Sequence, residues 1–176
     1  MKELGYMIAK VKSKFSKNQK ETICKYFRKA GMKISDGVNI CCNIMNSEPY
    51  LISIGSKTTI SGGVTLITHD NCVSKLNNDY TDIFGHIRIG NNCFVGMNTT
   101  ILPGVEIADN VIIGAGSVVT KSVRESNVIV AGVPAKIIGN WENLKKYADE
   151  NAIYAGNLSY KNRKKLVLES NKVITK

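Results

Sequence analysis

An aliphatic residue recurs at every sixth position from Ile89 to Val119. Divided there, the chain reads IGNNCF, VGMNTT, ILPGVE, IADNVI, IGAGSV and VTKSVR, six hexads in unbroken register ending at Arg124. Four more precede them: ISDGVN and ICCNIM from Ile34, then IGSKTT and ISGGVT from Ile54. A helix repeats about every 3.6 residues and a strand every 2, so neither accounts for this period. A prism does. Each hexad supplies one short flat strand and one corner. The first aliphatic points to the axis, the small or β-branched fifth residue fills the narrowing interior, and Gly or Asn takes the corner backbone, φ > 0 included. Three hexads close one circuit, and circuits stack by parallel pairing, each burying its neighbour. About five circuits fit between Ile34 and Ile138. Composition agrees, since 21 Ile and 15 Val stand against 9 Leu, and β-branched side chains favour pleated strands.

The flanks differ from this middle. Over residues 1–33, Leu4, Ile8, Val11 and Phe15, then Ile23, Phe27 and Ala30, fall at helical spacing, with a break near Ser16–Asn18 and a stop at Gly31. Residues 141–150 and 158–169 read as helices too. The expected division is a basic N-terminal helical segment (1–33), a repeat body (34–139) containing a loop (71–86), and a basic C-terminal helical tail (140–176).

Ten Lys/Arg face two acids in the first segment, six face eight in the second, and eight face four in the third. The charge excess of +10 therefore sits on the flanks. A nucleic-acid-binding core would need a basic face of its own, so no nucleic acid is expected. Basic flanks suit solvated helix faces, or contact with an anionic membrane surface or an anionic polymer. Lysine interrupts every apolar stretch of MKELGYMIAKVKSKF, so a secretory signal is not expected and the cytoplasm is the expected compartment. Five cysteines, odd in number and lacking C-x-x-C, fit neither a disulfide framework nor a zinc site; free, mostly buried thiols are expected.

The hexads, TLITHD (65–70), the stretch Gly90–Gly116 and the exit AGVPAKIIG (131–139) resemble the hexapeptide-repeat acyltransferases. SEPYLI (47–52) and ITHD (67–70) are most similar to sugar O-acetyltransferases of capsule, O-antigen and exopolysaccharide pathways. The resemblance implies an all-β solenoid, a left-handed parallel β-helix with short N- and C-terminal helices. It implies a homotrimer with active sites between adjacent prisms, acetyl-CoA as co-substrate, no metal, and a sugar or polysaccharide acceptor. An N-acetyltransferase acting on a nucleotide-linked amino sugar is the alternative on the same fold. The related zinc hydratases need three histidines per metal, and this chain has two, His69 and His86.

Acetyl transfer from a thioester to a hydroxyl needs a base for the hydroxyl proton, and imidazole serves near neutral pH. His69 stands where the hexads break off, the place of the family's catalytic histidine. Asp70 is expected either to orient it or to bind acceptor hydroxyls, although adjacent strand residues face opposite ways; Asp79 and Asp82 are alternatives. His86 reads as a surface residue. No serine, cysteine or acid is arranged as a nucleophile, so direct attack in a ternary complex is the expected mechanism. By resemblance, Met97 and Ala115 match main-chain contacts to the pantetheine arm, and Thr120, Lys121 and Lys136 match residues near the nucleotide phosphates. The run NCVSKLNNDY (71–80) departs from relatives that continue ITHD with two glycines and a tryptophan, and it borders the acceptor.

Overall fold

The computed structural model describes residues 2–174. Helices α1 (Lys2–Lys14) and α2 (Gln19–Lys29) come first, broken at residues 15–18. Then follow β1 (Lys33–Ile34), β2 (Asn39–Ile40), β3 (Ile52–Ile54), β4 (Thr59–Ile60), β5 (Thr65–Leu66), β6 (His69–Asp70) and β7 (Ile83–Phe84). The second run is β8 (Ile87–Ile89), β9 (Phe94–Val95), β10 (Thr100–Ile101), β11 (Glu106–Ile107), β12 (Ile112–Ile113) and β13 (Val118–Val119). Strands β14 (Val128–Gly132) and β15 (Ala135–Asn140) lead to helices α3 (Trp141–Asn151) and α4 (Tyr160–Glu169).

All strands but β6 and β7 lie in three sheets, and apart from the terminal β15 they pair in parallel. The first has the order β1-β3-β8-β11, the second β15-β14-β12-β9-β4-β2, and the third β13-β10-β5. From β8 onward the chain visits the first, second and third sheets in turn, and pairs with itself three hexads later. Ile89 lies beside Ile107, Val95 beside Ile113, and Ile101 beside Val119.

Burial follows the hexads. The leading residues Ile89, Val95, Ile101, Ile107, Ile113 and Val119 are all buried, and so are the fifth residues Cys93, Thr99, Val105, Val111 and Ser117. Corners are set by the fourth residue. Gly37, Lys57, Gly63, Asn92, Asn98, Gly104, Asn110 and Gly116 occupy it, all with positive φ. Glycine and asparagine tolerate that conformation, which explains their periodic use; Lys57 is the exception.

Two compact units are present, Met1–Ile138 and Gly139–Lys176. In the first, Tyr6, Ala9, Ile23, Cys24 and Phe27 of the basic N-terminal segment share one buried cluster with Ile34, Val38 and Ile40. Arg28 fastens α2 to the first circuit, its Nε donating to the Ile34 carbonyl at 2.6 Å. In the second unit, Asn140 caps α3 by accepting from the Asn143 amide, and Ser159 caps α4 by accepting from the Asn162 amide. All five cysteines are free, but only Cys24 and Cys93 are buried; Cys41 and Cys72 are exposed. The expectation of mostly buried thiols thus holds for two, because Cys41 and Cys72 fall outside the inward-pointing hexad positions. No helix among the described residues is long and apolar enough to cross a membrane.

Candidate active site

The third sheet ends at one corner differently from the rest. After β5, where Leu66 pairs with Ile101, the backbone leaves the stack instead of turning. Residues β6 and β7 form an antiparallel ribbon, His69 opposite Phe84 and Asp70 opposite Ile83. The chain rejoins the stack at Gly85, whose amide donates to the Thr68 carbonyl at 2.9 Å. The loop foreseen at 71–86 is therefore a hairpin whose tip spans residues 71–82, with a 3-10 turn at Cys72–Lys75.

On this ribbon His69 is partly exposed and Asp70 exposed, and the two point to opposite faces as strand alternation requires. The Asp70 carboxylate turns back to accept from the Cys72 amide at 2.9 Å, and that bond holds its pKa below the usual carboxylate value. The partner that meets His69 is Glu48. Its Oε2 lies 2.8 Å from His69 Nδ1 and accepts from Thr68 Oγ1 at 2.7 Å. Asn46 Nδ2 in turn donates to Thr68 Oγ1 at 3.0 Å and to the Leu66 carbonyl at 3.3 Å. Thr68 is buried. The side chain of Glu48 is 12 % exposed and that of His69 39 %.

Glu48 arrives by an irregular route. Between β2 and β3 the chain forms no strand in the third sheet. It crosses beneath β5 through a 3-10 turn at Pro49–Leu51, while Asn46 and the Cys42 thiol satisfy carbonyls on the open edge. A carboxylate offers only acceptors, so His69 Nδ1 carries the hydrogen and Nε2 keeps the lone pair. The bond to Glu48 raises the His69 pKa above its ordinary 6.5, with further charge from Asp82 and Asp70 and against some desolvation. The arrangement is an imidazole held at Nδ1 by a carboxylate, on a ribbon outside the three parallel-paired sheets, and chemically it can accept a proton at Nε2.

Of the other residues singled out, four lie at the corners of the third sheet. Met97 and Ala115 are both exposed and stack at the corner before it, where Gly116 donates its amide to the Met97 carbonyl at 2.7 Å. Thr120 and Lys121, also exposed, follow β13 at the corner after it, the corner from which the His69 ribbon departs lower in the stack. Lys136 is exposed on β15, at the end of the second sheet. Asp82 lies close enough to His69 to act on it electrostatically, while His86 is exposed between β7 and β8. Glu48 has no role readable from the sequence, although it lies in SEPYLI (47–52). Its signal was a carboxylate in a stretch that breaks the hexads.

Comparison with known proteins places this geometry in context. Residues 86–121 match the family described as bacterial transferase hexapeptide (six repeats). The protein CapG of Staphylococcus aureus is 41 % identical over 146 residues, covering 80 % of this chain and 84 % of CapG. The galactoside O-acetyltransferase of Escherichia coli K12 is 38 % identical over 106 residues, 60 % of this chain and 52 % of that protein. Among solved structures, a hexapeptide-repeat-containing acetyltransferase of Vibrio cholerae complexed with acetyl-CoA superimposes with a TM-score of 0.53 at 19 % identity. That match covers 80 % of this chain and 87 % of the other.

Proposed function

Because the chain belongs to the bacterial hexapeptide-repeat transferases and is an acyltransferase, we propose that it moves the acetyl group of acetyl-CoA to a sugar hydroxyl of a surface polysaccharide or its precursor. The observation that carries this reading is the His69–Glu48 pair at the corner of the third sheet. With Nδ1 committed to Glu48, Nε2 takes the proton of the acceptor hydroxyl as its oxygen attacks the thioester carbonyl. Glu48 keeps the ring in the productive tautomer and balances the imidazolium that forms. The tetrahedral oxyanion is met by a backbone N–H, and the thiolate of CoA leaves, taking the proton from His69. No acyl-enzyme is required.

Residues 34–139 are read as the catalytic body, a left-handed parallel β-helix, between basic helical segments at 1–33 and 140–176. Acetyl-CoA lies with its pantetheine arm along Met97 and Ala115 and its phosphates toward Thr120, Lys121 and Lys136, where ammonium groups suit an anionic ligand. A homotrimer completes the site. Supporting it, the outward ladder of the second sheet runs Phe94, Ile112 and Ile129 in register, with Phe94 45 % exposed, whereas the first sheet presents Lys33, Ser53, Arg88 and Glu106 in the corresponding places.

The test is product analysis by mass spectrometry after incubation with acetyl-CoA and pooled nucleotide sugars, amino sugars and capsule oligosaccharides. An alkali-labile acetyl on an oligosaccharide is expected. An alkali-stable acetyl on an amino sugar would replace this reading with N-acetylation. Lys136→Ala is expected to weaken CoA binding in calorimetry; unchanged affinity would remove Lys136 from the site.

A further inference from the structure

We propose that α1 docks the protein on an anionic phospholipid surface. The helix has two apolar faces. One, Tyr6 and Ala9, is buried against α2, with Ser13 in the same row. The opposite one is Leu4, Met7, Ile8 and Val11, spaced three and four residues apart on one stripe and continued by Phe15 just past the helix end, every member exposed and Phe15 by 87 %. Among the described residues nothing covers this stripe, so packing inside the unit does not explain its composition.

Its surroundings say what does. Exposed lysines border the stripe on both sides, Lys10 and Lys14 on one and Lys12 on the other, and Lys17 and Lys20 follow. Beside it, a groove of about 290 Å³ between α1 and α2 is lined by Ile8, Lys12, Lys25 and Lys29. The single acid of α1, Glu3, accepts a hydrogen bond from Asn43 Nδ2 at 2.9 Å, turned toward the prism. An apolar strip flanked by flexible ammonium groups is the pattern of a helix lying in a membrane interface. The strip enters the acyl boundary, and the lysines extend to headgroup phosphates. A soluble anionic polymer would need the lysines but not the strip. A second copy of this chain would bring lysines against lysines.

The experiment is flotation of the full-length protein with vesicles of phosphatidylcholine alone or mixed with phosphatidylglycerol. Flotation with the anionic vesicles only, weakened by 0.5 M salt (roughly a fourfold shorter screening length than dilute buffer), is the expected result. Ile8→Gln with Val11→Gln is expected to weaken binding at least about tenfold. Lys12→Gln, Lys25→Gln and Lys29→Gln together should weaken it about 100-fold. Circular dichroism and CoA binding should stay unchanged in both variants. Three results would overturn the proposal: no flotation of folded protein with anionic vesicles, flotation indifferent to the stripe variant, or a stripe variant that changes the oligomeric mass and so shows the strip to lie between copies.

Discussion

The hydrogen bond between His69 and Glu48 makes the base stronger and, below its raised pKa, scarcer. In the proposed mechanism activity requires neutral His69, so the acidic limb of the pH–rate profile should have an apparent pKa above the ordinary 6.5. Glu48→Gln removes the charge and keeps an acceptor for Nδ1–H. The limb should then move to lower pH while the plateau rate falls, so the loss is greatest at alkaline pH. A limb that stays in place would dissociate Glu48 from the base. His69→Ala should cost about 10²- to 10⁴-fold in turnover with CoA affinity intact; near-normal turnover would end its assignment as base. The stability effect has the opposite sense to the rate. A histidine whose pKa is raised on folding contributes below its unfolded value and loses that contribution as pH rises through the folded one. The melting temperature gap between wild type and Glu48→Gln should therefore narrow as pH rises. His69 was legible in the sequence because histidines are few and this one stands where the repeat stops. Glu48 was not, because its segment has no period from which a facing can be read. Asp70, its sequence neighbour, was the visible carboxylate, yet strand alternation turned it the other way.

Elements of two residues are stable here only because each is repeated above and below, so a close approach between circuits matters more than propensity. The Gly55 position shows this. A Cβ there would sit 2.5 Å from the Gly90 carbonyl carbon and 2.7 Å from the Asn91 amide nitrogen, both backbone atoms that cannot move aside singly. Gly55→Ala should destabilise by about 1–3 kcal/mol as an overpacked site, read as a fall in melting temperature. Gly104 is the contrast: open space surrounds its Cβ, and only its φ of +82° resists substitution. Gly104→Ala should cost about 1–2 kcal/mol and leave the register of the stack unchanged. Equal and negligible effects at both positions would mean that the circuits are not held this tightly. The parallel sheets were readable from sequence, since the period of six names both the inward residues and the corners, and the short helices were readable from the helical spacing of the flanks. The hairpin was not, because β6 and β7 pair with each other outside the hexad register.

At the scale of the whole molecule, the parts of the candidate site lie at two corners of one chain. Met97 and Ala115 stand at the corner before the third sheet, and the His69 ribbon leaves from the corner after it. On the proposed homotrimer, a neighbouring copy supplies one of them to each cleft. Light scattering should therefore give three times the chain mass, and Phe94→Lys on the apolar ladder should lower it. Mixing gives a sharper test. His69→Ala removes the base, and Ala115→Glu sets a negative charge against the pantetheine path at an exposed corner. Each variant alone should be inactive. If each site takes its base from one subunit and its CoA corner from the next, random reassembly of equal amounts leaves about a quarter of the sites with both intact. If a single chain holds both, no site recovers, because no chain in the mixture carries both. Activity near a quarter of wild type after co-refolding would establish a site shared between copies; activity at the background of the separate variants would return it to one subunit.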